Sequence, residues 1–208
     1  MLIASTTASS YEPPPTGAQI ARCLKVIDLG TQTSEFDGKA KHQRKVLLTW
    51  ELVEQDSTGK PFQISRRFGC SLHEKASLRG FLEAWRGRPF TPTELQGFDL
   101  GKLPGAPCLL NLIEVERNGK RYCNIASISP LPKGMTAPPM VGSPVIFDID
   151  ADDAPVILET FSDGLQEAIT ASPEWQARLA KGSAEPTAPA VAAPPLSDFA
   201  DFADDIPF

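Results

Sequence analysis

The chain has 208 residues, of which 41% are hydrophobic and 22% charged, and its net charge is −6. This length suits one domain with extensions, and this composition is typical of a water-soluble globular protein. No apolar run approaches the roughly 20 residues that span a bilayer, and the first residues lack the basic flank of a secretory signal. We therefore exclude a membrane protein and expect the chain to stay in the cytoplasm.

The charge is divided unequally along the chain. Residues 1–145 contain 18 Lys and Arg against 13 Asp and Glu, whereas residues 146–208 contain 2 against 13. The first part is therefore basic, at +5, and the second is acidic, at −11. The sequence pI of 5.0 consequently says little about the basic part.

The elements, taken in chain order, alternate between strand patterns and turn residues. We predict strands at Gln19–Leu29, Val46–Leu52, Phe62–Phe68, Pro107–Arg117 and Arg121–Ile128, a loop or hairpin tip over Thr31–Gln43, and a helix from about Leu72 to Trp85. The helix is predicted to begin with a capping box, Ser71-x-x-Glu74. Three strands, one helix and two strands are the element order of the OB-fold. The predicted fold class is thus all-β dominated, a five-stranded OB-type Greek-key barrel with one helix between strands 3 and 4.

Composition shifts divide the chain into four predicted regions. These are a flexible N-terminal segment at 1–17, an OB-fold domain at 18–134, an extension with a short helical segment at 135–181, and a disordered Ala/Pro linker with an acidic end at 182–208. In the extension, Ser172-Pro173-Glu174 is a helix start, and Trp175 and Leu179 could dock that helix on the barrel or on a partner.

Basic residues form three clusters in the predicted barrel. They are Lys39, Lys41, Arg44 and Lys45 in the first hairpin, Arg66 and Arg67 on the third strand, and Lys120 and Arg121 at the last hairpin. OB barrels that bind single-stranded nucleic acid place cations along the backbone path and flat rings under the bases. We therefore predict that these residues line one groove for single-stranded DNA. The alternative is that they only solvate the surface.

Three aromatic residues are candidates for base stacking. Tyr122 lies beside the last basic cluster, although an aromatic at a hairpin base also packs against its cross-strand neighbour. Trp50 and Phe68 alternate with apolar strand neighbours, and this register favours the core for both.

An enzymatic function has little support in the sequence. His42 and His73 lack a Ser, Cys or carboxylate partner at a recognised motif spacing. The four cysteines lack the close pairing of zinc sites, which favours reduced, buried thiols. The acidic run from Asp148 to Asp153 lacks the Gly and Glu of a calcium loop. We expect no catalysis, no metal and no cofactor.

The last five residues are Asp204, Asp205, Ile206, Pro207 and Phe208. This ending is similar to the C-terminal tip of bacterial single-stranded DNA-binding proteins, and the layout of barrel, Pro/Ala-rich linker and acidic tip is similar as well. The barrel sequence departs from the family, so the chain resembles a divergent, phage-encoded member. The resemblance implies single-strand protection in replication, recombination and repair. It also implies that Phe208 enters an apolar pocket of partner proteins, with Asp204 and Asp205 supplying charge.

Two other functions compete with this prediction. In the first, the chain is an interaction adaptor or nucleic-acid mimic whose acidic tail targets a DNA-processing protein of the host. In the second, it is an OB-containing enzyme subunit. The basic charge of residues 1–145 argues against the mimic, and the missing catalytic motifs argue against the enzyme. Assembly into a homo-oligomer is left open.

Overall fold

The computed structural model of the protein describes residues 12–36, 38–117 and 119–182. Its strands are β1 (Gly17–Phe36), β2 (Lys39–Gln55), β3 (Pro61–Gly69), β4 (Pro107–Arg117), β5 (Lys120–Ser129) and β6 (Val145–Phe147). Its helices are α1 (Ser77–Arg86), α2 (Pro92–Gln96), α3 (Ala154–Leu158), α4 (Asp163–Thr170) and α5 (Pro173–Gly182). The mostly-β class predicted from the sequence is confirmed. Of the described helices, none is long and apolar enough to span a membrane.

The strands form one sheet in the order β3-β2-β1-β4-β5, in which neighbours are antiparallel. The short strand β6 pairs with β1 in parallel. β1 is the central strand because its start pairs with β4, its middle with β6, and most of its length with β2. Its pairing with β2 shifts between Cys23 and Lys25 and again between Asp28 and Thr31. Such bulges bend a strand, and this bending allows β1 to pair with β2, β4 and β6.

The first hairpin is longer than predicted. Gly30 has a φ of +65° and lies in the second irregularity, but β1 continues beyond it to Phe36. Residues 31–36 pair with residues 39–44, so the segment Thr31–Gln43, predicted as a loop or hairpin tip, forms a hairpin of two strands. A two-stranded ribbon that extends past the core has polar residues on both faces, and its composition then matches that of a loop.

The helix α1 begins at Ser77, several residues after the predicted start. The Ser71 hydroxyl accepts a hydrogen bond from the His73 amide at 3.2 Å, which belongs to a local turn rather than to a capping box. A capping box does form at α2, where Thr91 and Glu94 exchange the two reciprocal hydrogen bonds. The predicted capping box at Ser71 and Glu74 is therefore wrong.

The first core lies between one face of the sheet, here called the inner face, and α1. Trp50 is fully buried there, with its ring 5.5 Å from that of Phe81 and 5.9 Å from that of Trp85. Phe68 is also buried, 4.8 Å from Phe81. The cysteines follow the predicted burial only in part, since Cys23 and Cys108 are buried but Cys70 is exposed. Burial raises the pKa of Cys23 to about 12.

A second core lies on the opposite, outer face and is built mainly by residues 145–175. Phe147, Ile169 and Trp175 pack there against Ile27 and Leu29 of β1. The extension therefore contains one strand and three helices, which is far more structure than the predicted short helical segment. α5 begins at Pro173 as predicted, and Trp175 is buried. Leu179, predicted to dock with it, is 53% exposed because it lies on the solvent side of α5.

A strap of residues 137–142 crosses the outer face before β6. The Arg22 guanidinium donates to the carbonyls of Ala137, Pro138 and Gly105, each at 2.7 Å. The buried Glu51 carboxylate accepts hydrogen bonds from the amides of Val141 at 2.7 Å and Gly142 at 2.8 Å. Arg22 and Glu51 are cross-strand partners, so one pair of residues fixes the whole strap.

Candidate nucleic-acid interface

The alternation of side chains along β2 and β3 sorts the predicted binding residues by face. On β2, Val46, Leu48, Trp50 and Leu52 point into the first core, and Leu47 and Thr49 therefore lie on the outer face. On β3, Ile64 and Phe68 point inward, and Arg67 lies on the outer face. Trp50 and Phe68, predicted as possible stacking residues, are 0% and 2% exposed. Both are core residues, as their register favoured, and their rings cannot reach a base.

The outer face of β2 and β3 forms one side of a groove, which we call the outer groove. Residues 160–162, between α3 and α4, and Gly164 and Leu165, in the first turn of α4, form the opposite wall, and the groove has a volume of about 650 Å³. Its floor is polar, since the hydroxyls of Thr49 and Ser65 share a hydrogen bond of 2.8 Å. Lys25 and Arg67 supply its positive charge. Among the described residues that line it, none is acidic.

Arg66 and Arg67 do not act on the same face. The Arg66 guanidinium lies 5.1 Å from the ring centre of Phe68 and 5.2 Å from that of Phe81. Its Nη1 donates to the carbonyl of Ile125 at 3.2 Å. Arg66 thus joins β3 to α1 and β5, and only Arg67 lines the outer groove.

The first basic cluster is divided in the same way. Lys41 and Lys45 have the outward register of Leu47 and Thr49, with Lys41 exposed and Lys45 half-buried. Arg44 has the other register and pairs with Asp28, with a longer contact of 3.5 Å to Asp150. The hydrogen bonds to Asp28 raise the pKa of Arg44 further above its usual range. Its charge is therefore already matched by carboxylates, and the Lys39 side chain lies outside the described part.

The predicted binding residues of the β4–β5 hairpin lie apart from the outer groove. Arg121 is exposed and lies 3.7 Å from the Glu114 carboxylate, an exposed ion pair of little energetic weight. Tyr122 is 46% exposed and sits opposite Val115. Neither residue lines the outer groove. The Lys120 side chain and residues 204–208 lie outside the described residues, so their predicted roles stay predictions.

Three parts of the groove were not predicted from the sequence: Lys25, the floor of Thr49 and Ser65, and the 160–165 wall. Lys25 carried a usable signal, because it lies within a predicted strand. A bulge at Leu24 shifts the register there, which hides the face that Lys25 occupies. The wall had no local signal, since its place depends on packing between segments more than 100 residues apart.

No protein-family model matches the chain, and no curated protein matches it in sequence.

Proposed function

We propose that the protein binds single-stranded DNA, without sequence preference, along the outer groove. One observation supports this above the others: Lys25 of β1 and Arg67 of β3 line the groove beside the uncharged hydroxyls of Thr49 and Ser65, and the described lining residues include no carboxylate. A polyanion would find cations and hydrogen-bond donors there. The sheet side of the groove belongs to the part of the chain with a net charge of +5, and its opposite wall belongs to the acidic part.

The sheet also supports the finer prediction of an OB-type barrel. β1 pairs with both β2 and β4, and α1 lies between β3 and β4 in the chain, as in that fold. An OB barrel closes where strand 3 meets strand 5. Here the Arg66 side chain bonds to the Ile125 carbonyl, which holds these two strands close. We include the closed Greek-key barrel in the proposal.

The groove chemistry favours contacts to the DNA backbone over contacts to base edges. Lys25 and Arg67 would bind phosphates, and Thr49, Gln63 and Ser65 offer uncharged hydrogen-bonding groups. Its apolar lining comes from Ile27, Leu47, Phe161 and Leu165, and the Phe161 ring is only 8% exposed. Backbone contacts carry no sequence information, and aromatic stacking would come from Tyr122. Binding dominated by phosphate contacts should weaken steeply with salt.

The second half of the proposal concerns the acidic tip. By its resemblance to bacterial single-stranded DNA-binding proteins, Phe208 would bind an apolar pocket of replication and repair proteins, with Asp204 and Asp205 beside it. A long Ala/Pro linker gives such a tip reach rather than affinity. Deleting residues 204–208 should abolish pull-down of those partners. DNA affinity should stay equal or rise at low salt, because an acidic segment competes with phosphate for the same cations.

The test of DNA binding is a fluorescence titration with labelled oligo-dT, duplex DNA of equal length and oligo-rU, repeated across a range of salt concentrations. We expect oligo-dT to bind much more tightly than the duplex, because the groove lies between a sheet face and the 160–165 wall. We also expect log affinity to fall linearly with log salt. Duplex binding as tight as oligo-dT binding, or no binding of either, would overturn the proposal.

A further inference from the structure

A second concave site lies on the same outward face, at the end of β3. Lys41 and Gln43 of β2 and Gly69 of β3 meet the turn that leads into α1 around a pocket of about 340 Å³. We call it the basic pocket. Lys75 and His73 come from that turn, and among the described residues that line the pocket none is acidic. The remaining described lining residues are Ser71, Ala76 and Ser77.

Local hydrogen bonds fix the polar groups of the pocket. The Ser71 hydroxyl accepts from the His73 amide at 3.2 Å, and the His73 Nδ1 accepts from the Lys75 amide at 3.4 Å. The Nδ1 bond leaves Nε2 as the ring nitrogen that can donate to a ligand. Lys41, His73 and Lys75 are all exposed, so their donors can reach an anion from solvent.

Gly69 has a packing role in the pocket floor. A Cβ placed at Gly69 would lie 2.0 Å from the Gln43 side-chain nitrogen. The Gln43 amide therefore rests directly on the Gly69 backbone.

The basic pocket and the outer groove are both lined by outward-facing residues of β2 and β3. The outward residues of β2 run from Thr49 and Leu47 in the groove, through Lys45, to Gln43 and Lys41 in the pocket. β3 also lines both sites, with Ser65 and Arg67 in the groove and Gly69 in the pocket. Four residues of a strand rise about 13 Å, so the two sites are a few nucleotides apart. A single strand that leaves the groove over Lys45 would meet the pocket without leaving this face.

We infer that the basic pocket binds phosphodiester groups of the DNA backbone and continues the path of the outer groove. Lys41 and Lys75 supply the charge, and the His73 Nε2 with the Ser71 and Ser77 hydroxyls supplies directed hydrogen bonds. This inference rests on the proposed single-strand binding. It assigns the basic pocket to the part of a longer DNA strand that extends beyond the outer groove, which a short strand lacks.

The test compares Lys41→Gln/Lys75→Gln with the full-length wild type on oligo-dT of about 5 and about 15 nucleotides, near the limits of OB-fold site sizes. Each lost phosphate contact lowers the log affinity against log salt slope by about 0.7 for single strands. The longer strand should therefore lose about 1.4 from its slope, whereas the short strand, held in the groove, should keep its slope. Lys102→Gln/Lys133→Gln removes the same charge from exposed positions outside both sites and should change neither slope.

The outcomes separate this inference from the proposed function. If wild type binds neither strand, the proposed function fails. If wild type binds both but Lys41→Gln/Lys75→Gln leaves the longer strand's slope unchanged, or lowers both slopes equally, only the inference fails. Inorganic phosphate, titrated at constant ionic strength and followed by the His73 ring resonances, tests a free anion as the ligand. Saturation by phosphate together with an unchanged oligonucleotide slope would overturn the inference.

Discussion

Arg66 and Arg67 are consecutive residues of β3, and their guanidinium groups lie on opposite faces of the sheet. Arg66 stacks over Phe68 and Phe81 on the inner face, and Arg67 lines the outer groove. The two arginines are therefore a matched pair, with equal charge and adjacent positions but different surroundings. This difference separates a structural role from a binding role.

Arg67→Gln should weaken oligo-dT binding and lower the salt slope by about 0.7, because one phosphate contact is lost. Its stability should change by no more than about 0.5 kcal/mol, since the side chain is exposed. Arg66→Gln should instead destabilise the fold by about 1 to 2 kcal/mol, through the lost ring and carbonyl contacts. Urea unfolding and salt-dependent titration measure both effects. A lower slope for Arg66→Gln with no change for Arg67→Gln would reverse the assignment.

Gly30→Ala should destabilise the protein strongly. Gly30 has a φ of +65°, and a Cβ there would lie 2.5 Å from the Cβ of the fully buried Ser172. Gly59→Ala is the control, because Gly59 has a φ of +81° but nothing within 4 Å of an added Cβ. Both variants incur the left-handed backbone penalty of about 1 to 2 kcal/mol. Only Gly30→Ala adds an overpacking cost of about 1 to 3 kcal/mol, and equal urea midpoints would contradict the close approach of β1 and α5.

Trp175→Ala should cost about 3 to 5 kcal/mol of unfolding free energy, as is usual for removing a large buried aromatic. Trp175 is 5% exposed in the second core, whereas Leu179, one turn further along α5, is 53% exposed. Leu179→Ala should therefore stay within about 0.5 kcal/mol of wild type. Equal effects of the two substitutions, measured by chemical denaturation, would show that α5 does not dock through Trp175.

Glu94 should make stability depend on pH in acid. The hydrogen bond from the Thr91 amide, followed by those from Arg86 and Arg88, lowers the pKa of Glu94 to about 2 from 4.5. A carboxylate with a lowered pKa stabilises the fold fully above pH 4.5, and this contribution is lost as the pH falls toward 2. The thermal midpoint of wild type should exceed that of Glu94→Gln by a constant amount near neutrality. The difference should shrink below about pH 4.5, and a difference that grows in acid would contradict the lowered pKa.

The elements that the sequence predicts well are those that border a core. Pro107–Arg117 matches β4, in which the alternating residues Cys108, Leu110 and Leu112 face the first core. The same alternation at Ile64 and Phe68 puts Arg66 and Arg67 on opposite faces, so the prediction that both line one groove is wrong for Arg66. The ribbon beyond Gly30 escaped prediction because its residues have no core to face. The second core escaped because Phe147, Leu158 and Trp175 are scattered through an acidic segment and pack against β1, far away in sequence.

The central claim is that single-stranded DNA follows the outer face of β2 and β3. Amide NMR of the full chain, with and without oligo-dT, tests it most directly. We expect shift changes concentrated at residues 41–49, 63–69 and 160–165, which form the outer groove and its continuation. Changes confined to the hairpin of β4 and β5, around Tyr122, or no changes on adding saturating oligo-dT, would contradict the claim.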